Sequence, residues 1–256
     1  MLLLTALLLA AGADTVRLEV GAPLADAGVL TPHAARVRVR EGSDSGQVVA
    51  EWTNALTVGD SAGVPVHRWV TRGTVFGPGG ERRTWEILQT YHARTLAPLG
   101  YRRSSSDGAG AELTIDGRRV RGTRRGPGGA AAEPVDLQLD RAGFIASASD
   151  LVPLAAGLAP GRVVVAPVWG PGMTAAQGRV FTVVGEEALT VEGAAVRAFR
   201  VDEREERGGR LVASWWLTRT SPFMVYGKQF GADGSVRVMS EVAVPMDRVT
   251  GPGAPR

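Results

Sequence analysis

The chain has 256 residues, and its Lys and Arg outnumber Asp and Glu only by 29 to 26, an excess too small to imply a nucleic-acid partner. It holds no cysteine, which excludes disulfides, a thiolate metal site, a cysteine nucleophile and a lipidated N-terminal cysteine, and leaves core burial to hold the fold. Lys228 is the only lysine, and with abundant Ala, Gly and Pro the arginines fit a GC-rich coding sequence better than a guanidinium-based chemistry.

Met1 to Ala13 reads as a secretory signal. Leu2, Leu3, Leu4, Leu7, Leu8 and Leu9 make an apolar run that ends in the small-x-small pattern Ala11-Gly12-Ala13, and the run is shorter than the roughly 20 residues that span a bilayer. The mature chain then starts near Asp14, with no transmembrane segment expected after signal removal. A single β-rich domain is expected over 14–245 and a flexible tail over 246–256.

In chain order, Val16, Leu18 and Val20 alternate with Arg17 and Glu19, and Val37 and Val39 alternate with Arg36, Arg38 and Arg40, the two-residue period of half-buried strands. Strands follow near 48–57, 66–76 and 84–91, separated by Gly59-Asp60-Ser61-Ala62-Gly63 and Gly77-Pro78-Gly79-Gly80, whose residues accept turn dihedrals. Leu113 and Ile115 lead into Asp116-Gly117, a hairpin signal that places Val120 opposite Leu113 and Arg121 opposite Glu112. Val135, Leu137 and Leu139 then alternate with Asp136, Gln138 and Asp140.

The period changes only between about Asp150 and Gly157. Leu151, Leu154, Ala155 and Leu158 are at helical spacing, Ser149 or Asp150 is available as N-cap, and Pro153 lies near the first turn. Val163 to Val168 is apolar on both faces, and strands at 179–184 and 188–191 lead to a meander from Ala195 to Val244. Within it, Leu211, Ala213, Trp215 and Leu217 alternate with Val212, Ser214, Trp216 and Thr218, so Trp215 is expected inside and Trp216 outside. About a dozen strands and one short helix predict a mainly β fold, a curved antiparallel sheet or an open or closed β-barrel.

Several phrases in a fixed order carry a family resemblance: Thr95-Leu96-Ala97-Pro98-Leu99, the stretch from Pro134 to Gly161, Val183-Val184-Gly185-Glu186 with Val191-Glu192-Gly193, and Trp215-Trp216-Leu217 before Ser221-Pro222-Phe223. Over the last two-thirds of the chain this resembles a family of secreted bacterial envelope proteins known only as a domain of unknown function. The resemblance implies a curved sheet or open barrel around an apolar interior, similar in shape to lipoprotein carriers, and brings no functional residues with it.

Gly59-Asp60-Ser61-Ala62-Gly63 matches the Gly-x-Ser-x-Gly nucleophile elbow, but Val64-Pro65-Val66 has no helical period and no motif ties Ser61 to His33, His67 or His92. A polar turn is the preferred reading over a secreted hydrolase. The histidines have no metal-ligand spacing, no cofactor is expected, and Asp202-Glu203 with Glu205-Glu206 reads as a solvated hairpin tip. Arg118, Arg119, Arg121, Arg124 and Arg125 form the densest basic cluster; Arg119, Arg121 and Arg124 are candidates to contact an anionic surface, against the alternative of a solvated rim. Trp69, Trp85, Phe199, Trp215 and Phe223 are candidate ligand contacts, against the alternative of plain core. The leading functional expectation is a non-enzymatic envelope protein that binds an apolar or amphipathic ligand inside its curved sheet, a lipid or acyl chain or a lipoprotein; the rival is an interaction protein with a filled core and no ligand.

Overall fold

The computed structural model describes residues 14–250, the side chains of Arg248 and Thr250 excepted; the expected leader lies outside the described residues. Strand β1 (Thr15–Arg17) is followed by a meander of β2 (His33–Glu41), β3 (Val48–Ser61), β4 (Val64–Phe76), β5 (Arg82–His92), β6 (Pro98–Ser105), β7 (Gly110–Asp116), β8 (Arg119–Arg125) and β9 (Glu133–Gln138). After the short β10 (Phe144–Ile145) a second meander runs through β11 (Val163–Trp169), β12 (Gln177–Val191), β13 (Ala194–Glu205), β14 (Leu211–Leu217), β15 (Met224–Phe230) and β16 (Val236–Val244). Pairing of β16 with β2 joins the two meanders into one sheet that runs from β1 to β9 without closing. All pairings are antiparallel except those of β1 and β10, which both run parallel to β11.

The sixteen strands among the described residues exceed the dozen expected, and the excess has a physical source. Strand β6 carries Arg102, Arg103 and Ser104 and has almost no apolar alternation to announce it; β10 is two residues long. Conversely, the two segments expected at 179–184 and 188–191 are one strand of 15 residues, β12, in which a bulge between Val183 and Gly185 leaves Val184 unpaired. The β7–β8 hairpin also differs from expectation: Ile115, not Leu113, faces Val120, and Arg121 faces Thr114. Gly117 is the first central residue of the turn, with φ 55°, the position glycine takes in a type II′ turn. Taking Asp116-Gly117 as the central pair misplaces the register by one turn residue.

The inner face of the sheet buries one continuous cluster that includes Val37, Leu56, Trp69, Tyr91, Leu113, Val120, Phe181, Val201, Trp215 and Met239. These come from strands near both ends of the sheet as well as its middle, as a strongly curled sheet requires. Alternation produces this directly in β2, where Val37 and Val39 are buried while Arg36 is exposed.

Helix α1 (Leu151–Ala155) fills the concave side. Leu151, Val152, Leu154 and Ala155 are all buried within the same cluster, and burying each large aliphatic side chain contributes about 1.5–3 kcal/mol. The expected cap is not made: neither Ser149 nor Asp150 caps the helix, and Ser149 Oγ instead donates to Glu203 Oε2 at 3.3 Å. The N-terminal segment closes over this helix, with Leu24 and Leu30 buried and the Asp26 N–H donating to Ala155 O at 2.8 Å. Beyond β16, a helical turn α2 (Asp247–Thr250) packs Val249 against Ala34 and Ala55 on the outer face.

Trp215 and Trp216 occupy opposite faces, but Trp216 is not solvent-facing as expected. Its relative exposure is 9%, against 6% for Trp215. The β12–β13 hairpin runs past β14 and lies over the outer face, where Val191 and Ala198, with Leu189 and Val196, pack against Trp216 and Val225. The bulge at Val184 increases the bend such a hairpin needs.

Candidate functional site

At one end of the curled sheet the packing leaves a cleft of about 640 Å³. Its lining includes the apolar Val168, Ala213, Trp215 and Phe230 and the charged Arg179, Glu203, Asp233 and Arg237, which interleave along the cross-strand row Glu203–Ala213–Gln229–Arg237. Val212 enters this lining because a bulge between Glu203 and Arg204 leaves it without a cross-strand partner, and such bulges re-aim a side chain beside a site. Ala146 and Ser149, leading into α1, form part of the lining. Opposite Trp215 in the ladder is Gly227, where a Cβ would stand 3.0 Å from the indole ring; glycine lets the ring lie flat across β15.

Glu203 organises the charged part of the lining. Its side chain is buried, and it accepts from Trp215 Nε1 at 2.9 Å and from Ser149 Oγ at 3.3 Å while Arg179 Nε lies 3.2 Å away. Burial raises its carboxyl above the ordinary value, and the Trp215 hydrogen bond and Arg179 oppose that shift. A buried carboxylate paired with a partly exposed guanidinium is tolerated when its remaining lone pairs are satisfied in this way. Asp150 stands next to this group, and burial raises its carboxyl to about 7, with Glu203 adding to the shift. Glu241, inward from β16, is raised well above its ordinary value by burial and then by Asp150.

The pairing of Asp202 and Glu203 with a solvated tip is corrected by the structure. Both are buried within β13, at 9% and 4% exposure, while Glu205 and Glu206 stand nearer the turn. Asp202 faces outward and is held by Ser214 Oγ at 2.8 Å and by Arg200. The signal for Glu203 was present in the alternation of Phe199, Val201 and Glu203 on one face. Nothing local in the sequence marked Arg179, which comes from β12.

Of the five candidate ligand contacts, Trp215 lines the cleft. Trp69 and Phe223 are core, packed edge-on against the buried His33 ring at centroid distances of 5.5 and 4.6 Å. Phe199 is half-buried beneath the Arg219 guanidinium, 5.3 Å from its ring. Trp85 is half-buried beside Trp52, at 6.0 Å between centroids, and both lie against Gly73. Trp52 was not singled out by the sequence, although its spacing of two residues from Ala50 and Asn54 sets it on the same inner face.

Arg119 and Arg121 pair with Asp136, at 2.9 and 3.8 Å, and Arg124 with Glu133 at 3.2 Å. The basic stripe of β8 is thus matched by acidic residues of β9, and the expected Arg121–Glu112 pairing is replaced by the one to Asp136. Ser61 ends β3, and Ala62 and Gly63, with φ 54° and 84°, make a β-hairpin turn into β4, not the strand-to-helix elbow that exposes a nucleophile. His33 and His67 are buried, and burial lowers both imidazoles. Among the described residues no group of three or more His, Cys, Asp or Glu is placed to hold a metal ion, and no helix is long and apolar enough to cross a membrane.

No protein-family model and no curated protein matches the chain. Among solved structures it is similar to a β-barrel-like protein of the domain-of-unknown-function family DUF1849 from Brucella abortus, at 10% identity and a TM-score of 0.49, over 83% of this chain and 98% of that one. It is also similar to the hypothetical lipoprotein YmcC from Escherichia coli, at 11% identity and a TM-score of 0.28, over 82% and 86%. A DUF1089 family protein from Pseudomonas aeruginosa matches at 12% identity and a TM-score of 0.28, over 74% and 87%.

Proposed function

We propose that this chain is an exported envelope protein that binds an amphipathic ligand, a lipid or acyl chain, in the cleft beside Trp215. The observation that carries the reading is the cleft's mixed lining, in which the apolar Val168, Ala213, Trp215 and Phe230 stand among the charged Arg179, Glu203 and Arg237. Its volume of about 640 Å³ falls in the range of small-molecule sites, roughly 300–1,000 Å³. The apolar run from Leu2 to Leu9 supports export. Because α1 occupies the concave side, the ligand sits at the end of the curled sheet and not along its axis. Native mass spectrometry and lipid extraction of the purified protein test the reading. A co-purifying lipid, or uptake of a fluorescent fatty acid that Trp215→Ala weakens, is the expected result; neither lipid nor uptake overturns it.

A second reading, an interaction protein with a filled interior, is favoured by the burial of α1 within the main core. It places partners on a free sheet edge such as β9. Protein without lipid that is captured by a defined partner, and loses it when Pro replaces Val135 or Leu137 in β9, is the outcome that selects it.

A further inference from the structure

We propose, resting on the cleft as the lipid site, that it selects amphiphiles with an oxyanion head, a carboxylate or a phosphate monoester, held by the Arg237 guanidinium with the Gln229 carboxamide beside it. Two guanidiniums and two carboxylates stand in the lining, and three of these four groups are already engaged. Arg179 Nε lies 3.2 Å from Glu203 Oε1, and its Nη2 donates to Gln177 Oε1 at 3.0 Å. Glu203 is further occupied by Trp215 Nε1 and Ser149 Oγ. Asp233 folds back on its own turn, where its Oδ1 accepts from the Ser235 N–H at 3.0 Å. Arg237 makes neither an ion pair nor a side-chain hydrogen bond among the described residues. Glu41, opposite it on β2, stands outside the lining.

Cross-strand register brings unused donors together. Gln229 of β15 and Arg237 of β16 are direct partners in the ladder, and side chains so placed share a face with Cβ atoms about 4.5–5.5 Å apart. Both are exposed and both line the cleft, and Gln229 likewise makes no side-chain hydrogen bond among the described residues. The guanidinium offers a planar fork of donors that matches the edge of a carboxylate or phosphate, and the carboxamide adds N–H donors from the neighbouring strand. The next row on the same face is Trp215–Gly227–Met239, two residues along the strands and so roughly 7 Å away. An acyl chain whose head rests on Arg237 therefore meets the Trp215 ring after a few carbon atoms.

Isothermal titration of the full chain with dodecanoate, dodecyl phosphate and dodecanol, each below its aggregation concentration, and with inorganic phosphate alone tests this. At least one of the two anionic amphiphiles is expected to bind roughly tenfold or more tighter than dodecanol, its identity naming the head group, and inorganic phosphate to bind far more weakly. Arg237→Gln should weaken the anion roughly tenfold while dodecanol binding and the denaturant midpoint stay unchanged. Arg125→Gln, which removes an exposed arginine of β8 that is not part of the cleft, should leave every affinity unchanged. Dodecanol as tight as the anions, an undiminished anion affinity in the Arg237→Gln chain, or an equal loss in both variants overturns the head-group assignment and leaves the cleft reading standing. Inorganic phosphate as tight as dodecyl phosphate overturns it as well, by showing a free-ion site. Failure of all three amphiphiles to bind removes the cleft reading itself, and the head-group assignment with it.

Discussion

Glu192, at the tip of the β12–β13 hairpin, lies 3.2 Å from Arg38 in β2, 154 residues earlier in the chain. It also reaches Arg36 at 3.4 Å and Ser240 Oγ at 3.2 Å, which pins the hairpin across the seam where the two meanders join. These groups are partly exposed, so each pair contributes about 0.2–1 kcal/mol and weakens with salt. Glu192→Gln is therefore expected to cost about 1 kcal/mol or less in urea unfolding at low salt, with the difference shrinking as salt rises. A loss of several kcal/mol would mean that the tip is held by more than these contacts.

Under that hairpin, Trp216 should behave as a core residue. Its ring contacts Tyr226 edge-on at 5.1 Å, and its Nε1 donates to Glu187 Oε2 at 2.8 Å. Trp216→Ala and Trp215→Ala are each expected to cost about 3–5 kcal/mol. Fluorescent ligand uptake distinguishes them, falling for Trp215→Phe and persisting for Trp216→Phe. A Trp216→Ala chain as stable as the native one would show that the outer cover does not hold in solution.

Glu203→Ala is expected to destabilise by about 1–3 kcal/mol, because it leaves the Trp215 Nε1 and Ser149 Oγ donors without their buried acceptor, while Arg179 keeps Gln177 Oε1 at 3.0 Å. Glu203→Gln keeps acceptors for Trp215 and Ser149 and should cost less. Denaturant midpoints of the two variants check the order; a Glu203→Ala chain as stable as Glu203→Gln would show that water satisfies the Trp215 and Ser149 donors.

Stability should fall with rising pH across the interval from about 4 to about 7. Asp150, Glu203 and Glu241 all have carboxyls raised in the folded state. Above the ordinary carboxylate pKa the unfolded chain has released those protons while the folded chain retains them, so folding loses stability until the raised pKa is passed. The lowered imidazoles of His33 and His67 act the other way, removing stability as pH falls through about 6.5. Asp150→Asn isolates the first contribution, and its stabilising effect should be larger near pH 8 than near pH 5 in paired thermal melts. No difference between the two pH values would remove Asp150 as a titrating group.

Gly73→Ala should cost about 1–3 kcal/mol. A Cβ there would stand 2.7 Å from Trp52 Cβ, 2.8 Å from Trp85 Cζ2 and 2.9 Å from Glu51 O, so both indoles must shift. Circular dichroism in the aromatic region, which reports the Trp52–Trp85 geometry, should change with the melting temperature; an unchanged spectrum and melting point would mean that the rings have room to move.

By itself, the sequence determined what depends on neighbours one or two residues apart. The alternation of Val37 and Val39 with arginines, or of Trp215 with Trp216, dictates strand and face because successive side chains point to opposite sides. The turn residues between such runs implied a meander, and the run from Leu151 to Leu158 marked the one helix of the interior. Tertiary structure alone decided what covers each face. Trp216 is buried because a hairpin bent at Val184 lies over it, and Glu203 leaves solvent because the curl of the sheet brings Arg179, Ser149 and Trp215 to it from three other parts of the chain. The helix becomes a filling and not a surface element for the same reason: burial depends on which surfaces meet, and those meetings join residues such as Ser149 and Glu203, 54 positions apart, whose proximity no local period encodes.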